Sequence, residues 1–362
     1  MNTKPQLILL LFCIALLCSC SAPAVHYAYV PLSSLNSLDV YQVKNSSGAL
    51  TEVLGAPFPV GNGPAAVCVH PSGKFAYTSN STDNNISLLQ IDPTNGGIKE
   101  VLPRTSTRFN PGPLITDSAG KFLFVANVGA SNISVFSIDG TSGALTEVSG
   151  SPFPTPLNPS ALVLANSDKF LYVANSGINA VSAYSVDSGS GALQPLPGSP
   201  FLVGHLPSAL AVTPSATFLF AANSADNNVS VLSINSDGTL SNVSGSPFLA
   251  GTNPISAVVH PSGNFLYIAN RNGGISAYSI ATNGALTLLT GSSGSLTNGI
   301  SLALDPTQKY VLAATQNSLQ VLTINNVSST STATSLTTNG SLSSSSNSAL
   351  LTTTPGQIFV AP

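Results

Sequence analysis

Three arginines and one histidine interrupt an otherwise monotonous chain. Arg104 and Arg108 stand in PRTSTRFNPG, His205 in LVGHLPS and Arg271 in IANRNG. A guanidinium grips a carboxylate or phosphate through paired N–H groups, and an imidazole can act as general base toward water attacking a lactone carbonyl. Gathered at one surface, His205 and Arg271 would take the catalytic roles, with Arg104 and Arg108 as ligand-binding cations. Taken singly, each is an ordinary solvated loop residue. A second set is Asn80, Asn127, Asn175, Asn223 and Asn270, each closing a run such as FLFVAN or FLYVAN. Asparagine caps turns with its own side chain, and a ring of amides facing a bound sugar is the functional alternative. Asp83 and Asp226, both in DNN, read as turn residues in the same way.

Other reactive types point to structure. His70 and His260 each precede a proline at matching places in HPSGKF and HPSGNF, which marks a turn. Cys68, in AAVCVHP, reads as a small buried hydrophobe, because no base accompanies it. HExxH, CxxC, EF-hand, GxSxG and phosphate-loop patterns are missing from the sequence, so neither metal nor cofactor is expected.

These residues must be positioned by a repeat. SGALTEVLGAPFP from Ser47 returns as SGALTEVSGSPFP from Ser142, SGALQPLPGSPFL from Ser190 and DGTLSNVSGSPFL from Asp237, with shorter echoes from Asn95 and Asn283. The glycines at 48, 96, 143, 191, 238 and 284 recur every 46 to 48 residues, a period that signals stacked supersecondary units. Within one unit, residues 207–253, four short β-rich runs (SALAVT, TFLFAAN, NVSVLSI and TLSNVSG) are separated by Pro, Gly, Asn, Asp and Ser. Four antiparallel strands per unit describe a propeller blade. The fold expected is all-β: a seven-bladed β-propeller over 26–362.

Six complete blades begin at Pro64, Pro113, Pro159, Pro207, Pro254 and Gly299, and the termini must supply the seventh. HYAYVP, SLDVYQV and ALTEVLG match strands two, three and four, while PGQIFVAP from Pro355 matches a first strand. Pairing the ends removes two exposed sheet edges and closes the ring. In that ring SGAL is the turn into the outermost strand, and GSPF leads back to the hub with Phe wedged between blades. The Ser/Thr-rich stretch at about 325–354 departs from the pattern, so a poorly defined outer strand or a loop is expected there. The loops before strand one and after strand two share one channel mouth, where a ligand would sit.

Charged residues make up 6% of the 362 and the formal charge is −3, which excludes a nucleic-acid footprint. MNTKPQLILLLFCIALLCSC carries Lys4 and an apolar core from Leu7 to Leu17, the order of a signal peptide, 1–19. Leu17-Cys18-Ser19-Cys20 resembles a bacterial lipobox, which implies lipidation at Cys20, a tether over 20–25 and a place in the bacterial cell envelope, on the periplasmic side or at the outer membrane. Cys68 then remains alone, and no intramolecular disulfide can form. The expected partners are the membrane, through the lipid, and a small molecule or protein at the channel mouth, with no nucleic acid and no second copy of the chain.

FLYVANS, FLYIANR, HPSGKFAYTSN and HPSGNFLYIAN resemble the YVTN-type repeat. Together with SGALTEV they are similar to the bacterial lactonase-like propellers related to 6-phosphogluconolactonase and to muconate-lactonising cyclases. The resemblance covers 26–362 and implies seven blades, with lactone hydrolysis as the family activity. It departs at the first strands: family members often carry a PHPH lead-in, where this chain has GPAAV, GPLIT, NPSAL, LPSAL and NPISA. Three functions follow: a lipid-anchored binding module, a lactone hydrolase using the Arg/His site, or a structural envelope protein.

Overall fold

The computed structural model describes residues 25–289, 298–325, 340–351, 353 and 355–361. Residues 1–19, expected to be a signal peptide, and Cys20 lie outside these residues. Seven antiparallel sheets are arranged as blades, numbered here from the one holding the amino terminus, with strands one to four running outward from the hub.

Strand two explains the most hydrophobic runs. Phe122–Asn127, Phe170–Asn175 and their counterparts in blades 2 to 7 are buried at every position, because each sheet is covered on both faces by its neighbours. Alternation is therefore suppressed and the run reads as continuously apolar. The cores lie between blades: Phe75 and Tyr77 of blade 2 pack with Leu123, Val125 and Phe136 of blade 3, and the same pairing recurs around the ring.

The repeated glycine has two physical reasons. Gly143 holds φ +75, a left-handed turn conformation that glycine adopts without penalty. A Cβ on it would also stand 2.8 Å from the Phe75 ring of the preceding blade. Tyr77 of that blade donates its hydroxyl proton to the Gly143 carbonyl at 2.9 Å. Tyr172 to Gly238 and Tyr267 to Gly340 repeat the bond at 2.8 Å. SGAL is thus an interblade contact as well as a turn. The phenylalanine of GSPF also meets the preceding expectation, since Phe153 packs in the cluster joining blades 3 and 4.

Closure follows the termini. Blade 1 takes strand one from Phe359–Ala361 and strand two from Val25–Leu32, with Tyr27 opposite Ala361 and Tyr29 opposite Phe359. Gln357 N–H donates to the Ala65 carbonyl of blade 2 at 2.9 Å, so the carboxy-terminal segment also contacts the next blade.

Two expectations change. The third blade begins at Pro111, which lies opposite Asn127 as Pro64 lies opposite Asn80; Pro113 falls inside the bulged strand. Blade 2's outer strand, Ile98–Ser106, extends past the usual three residues, which places Arg104 on the outer strand rather than in a loop at the mouth. Of the two forms expected for the Ser/Thr-rich stretch, its described part takes the strand: Leu342–Leu350 pairs with Ser318–Ile324, with a register shift between Gln320 and Leu322. Gly340, at φ +79 and with its would-be Cβ 2.3 Å from Phe265, is a further copy of the turn glycine, which low complexity concealed. Residues 326–339 of that stretch lie outside the described residues.

Candidate functional site

The five strand-ending asparagines are 0% exposed, so their amides face the protein interior. Each amide instead ties strand two to strand three. Asn127 Nδ2 donates to Asn132 Oδ1 at 2.8 Å and to Ser134 Oγ at 2.9 Å, and Asn80 and Asn223 make the same pair of bonds. Asn175 and Asn270 bond Ser182 and Ser276 in turn. The carbonyl side of these amides depends on the loop leading into the blade. Thr107 and Thr155 donate to Asn127 and Asn175 Oδ1 at 2.9 Å. Val60, Val203 and Ala250 hold that place elsewhere, and Oδ1 of Asn80, Asn223 and Asn270 lacks a hydrogen bond. The ring of amides is a scaffold.

The four cationic candidates do not converge. Arg104 Nε donates to Glu100 Oε1 at 2.7 Å, with Asp83 at 3.7 Å. Arg108 grips both oxygens of Glu147 at 2.9 and 3.2 Å. Glu100 and Glu147 occupy one repeat position on the outer strands, so these arginines serve the rim. His205 has a different partner: Asp226 Oδ1 lies 2.9 Å from Nδ1, and Asp226 Oδ2 accepts the His205 backbone N–H at 2.7 Å. That backbone bond, followed by the imidazole contact, holds the Asp226 carboxyl below the usual range. Asn62 and Asp83 form the same loop clamp in blade 2. Arg271 is exposed and lines a separate cleft with Asn298, Ile300, Gln316 and Pro355.

The hub itself is chemically plain. A channel of ≈ 310 Å³ is lined by first strands, and its side chains are Ala, Pro, Ser, Leu, Ile, Val and Gln357. Its serines are already engaged: Ser160 Oγ donates to the Pro207 carbonyl at 2.6 Å and Ser208 Oγ to the Pro254 carbonyl at 2.7 Å, each joining neighbouring blades. At the opposite face His70 and His260 are staples. Nδ1 of each accepts the N–H two residues on, at 3.1 Å, so Nε2 carries the proton and donates to Gly120 or Gln308 of the next blade. Burial lowers the His260 pKa. It also pushes the Cys68 thiol up, which removes it as a nucleophile. Among the described residues no cluster of three or more His, Cys, Asp or Glu could hold a metal ion.

One acidic pair escaped the sequence reading. Blade 1 replaces the Asn/Ser tie by Leu32 and Asp39, and Asp39 is 5% exposed. Tyr41 donates to Asp39 Oδ2 at 2.7 Å. Glu52, at the repeat position of Glu100 and Glu147, meets this carboxyl instead of an arginine. Burial raises the pKa of both acids, and their mutual contact raises Glu52 further. An acid whose folded pKa is raised stabilises the fold below its unfolded pKa, and that contribution is lost as pH rises through the folded value. Asp39→Asn keeps the acceptor for Tyr41 and removes the buried charge. Thermal denaturation should therefore find the variant more stable than wild type at pH 7, with the gap closing toward about pH 4.

The description of the seven-bladed β-propeller lactonase family matches residues 21–157, 149–249 and 246–347. The chain belongs to this family. Among curated proteins, none matches it in sequence. Solved structures similar to this lactonase-family propeller include a candidate 6-phosphogluconolactonase from Bacteroides uniformis, 17% identical with a TM-score of 0.79 over 94% of this chain and 100% of that one. The periplasmic gluconolactonase PpgL of Pseudomonas aeruginosa is 17% identical, with a TM-score of 0.75 over 93% of this chain and 99% of its own. At such identities the likeness is one of fold. The lactonase-family propeller shares their seven blades, while its channel is lined by the residues given above.

Proposed function

We propose that this lactonase-family propeller is a lipid-anchored, extracytoplasmic module that binds a ligand at its channel mouth without hydrolysing it. The observation that carries this reading is the channel lining, which holds no ionisable side chain among the described residues. Catalysis of lactone opening needs a base within reach of water and donors aimed at the developing oxyanion. Two of the three arginines are instead held by rim carboxylates.

The address is supported by the signal-like leader, by Cys20 and by geometry. Val25 opens strand two at the face of the His70 and His260 turns, opposite the mouth. Four residues separate the lipobox cysteine from that point, and the five steps of chain span at most about 18 Å. Such a tether sets the His face toward the bilayer and turns the mouth away from it.

A lactone hydrolase is the second reading. His205 favours it, because Asp226 occupies Nδ1 and the side chain, 68% exposed, leaves Nε2 open to water. One assay separates the two. The purified chain, incubated with sugar and aliphatic lactones in a pH-stat, should release acid no faster than buffer. Turnover that disappears in His205→Ala would establish the hydrolase and overturn the binding module.

A further inference from the structure

In blades 2 to 7 the first residue after strand two stands at the channel mouth, and its backbone N–H donates to the loop that leads into the same blade. Ser81, Val128, Ser176, Ser224, Arg271 and Gln316 hold this position in blades 2 to 7. The serines turn inward: Ser81, Ser176 and Ser224 donate their hydroxyls to the carbonyls of Gly63, Asn158 and Leu206 at 2.8, 3.1 and 2.9 Å. Only in blades 6 and 7, side by side, does the position carry long polar side chains.

Arg271 and Gln316 line one cleft of ≈ 400 Å³, whose other walls are Asn298, Ile300 and Pro355. Asn298 Nδ2 donates to Gln316 Oε1 at 3.2 Å. That bond fixes the Gln316 amide with its oxygen occupied and its Nε2 hydrogens available as donors. Arg271 differs from Arg104 and Arg108 in charge balance. All 13 Asp and Glu side chains lie among the described residues, and none forms an ion pair with Arg271. Ile300 lines both this cleft and the central channel, so the two adjoin.

We infer that the cleft at the seam of blades 6 and 7 binds a small organic monocarboxylate, with Arg271 and Gln316 as donors to the carboxylate and Ile300 and Pro355 against its aliphatic body. The planar guanidinium fork matches a carboxylate through two parallel N–H bonds, and one uncompensated positive charge suits one negative charge. A phosphate dianion would leave charge unmatched, and a neutral alcohol would leave the guanidinium unpaired. The inference deepens the binding reading above by naming its ligand class, and it rests on that reading only for the mouth being a ligand surface.

The test is calorimetric titration of the purified full chain with hexanoate, hexyl phosphate and hexanol. Hexanoate should bind, more tightly than the other two, and Arg271→Gln should weaken it about tenfold or more. Gln316→Leu should weaken it less, and Arg108→Gln, far away on the rim, should leave it unchanged. Unchanged melting temperatures would certify the folds of the variants. Equal hexanoate affinity in wild type and Arg271→Gln, tighter binding of hexyl phosphate, or no heat with hexanoate would each overturn the inference. Lactone turnover would not, since a hydrolase retaining Arg271-dependent hexanoate binding would defeat the non-catalytic reading alone.

Discussion

Deleting residues 355–362 should abolish cooperative folding of the whole ring. The segment contributes the innermost strand of blade 1, with Ala28 opposite Val360 and Tyr27 opposite Ala361. Ile358 and Val360 are buried against blades 1 and 7, while Ala361 is buried in the cluster joining blades 1 and 2. Burying the two large side chains stabilises by roughly 1.5–3 kcal/mol each, before the ladder bonds and the opened edges of blade 1 are counted. A loss of about 5 kcal/mol is comparable to the total stability of many domains. Circular dichroism during heating should show a broad or absent transition in the truncated chain, and size exclusion should show association through the exposed edge of Val25–Leu32. Adding the peptide PGQIFVAP should restore the transition by strand addition, because its backbone partners remain in place. A truncated chain that melts sharply within a few degrees of wild type would show that the ring does not depend on this closure.

The same segment illustrates what the sequence discloses. PGQIFVAP was legible as a first strand because its pattern matches PISAVVHP, and period and pattern survive in any single copy of a repeat. Lead-in loops and rim contacts are harder, since most of their partners stand on another strand or loop, such as Asn127 for Thr107, Asp226 for His205 and Glu147 for Arg108. Arg108 reads as a free cation until Glu147 of the neighbouring outer strand is placed beside it. Blade 2's extended strand moves Arg104 outward for a similar reason: register past Ile86 shifts through a bulge that no local propensity announces. The asparagines were visible as a set but not their exposure. Their burial follows from sheets stacked on both faces, which also explains why the hydrophobic run continues up to them. Arg271, unlike Arg104, Arg108 and His205, pairs with no acidic side chain, and it follows strand two directly.

The buried asparagines carry the second large effect, which tests their structural role against a ligand role. Asn127 uses both ends of its amide: it donates to Asn132 and Ser134, and accepts from Thr107 Oγ1 at 2.9 Å and Arg108 N–H at 3.3 Å. Asn127→Leu leaves those groups buried without it, at about 1–3 kcal/mol for each that finds no water. Urea denaturation should show a loss of roughly 3 kcal/mol, with the slope unchanged if the fold persists. Asn223→Leu should cost less by about 1 kcal/mol, since Asn223 Oδ1 has no hydrogen bond to lose and Val203 holds the place that Thr107 holds before blade 3. Hexanoate affinity should be the same in both variants, measured below their transitions. Equal destabilisation would mean that the threonine bond adds nothing. A selective loss of binding in either variant would return the amides to the ligand site, against their complete burial.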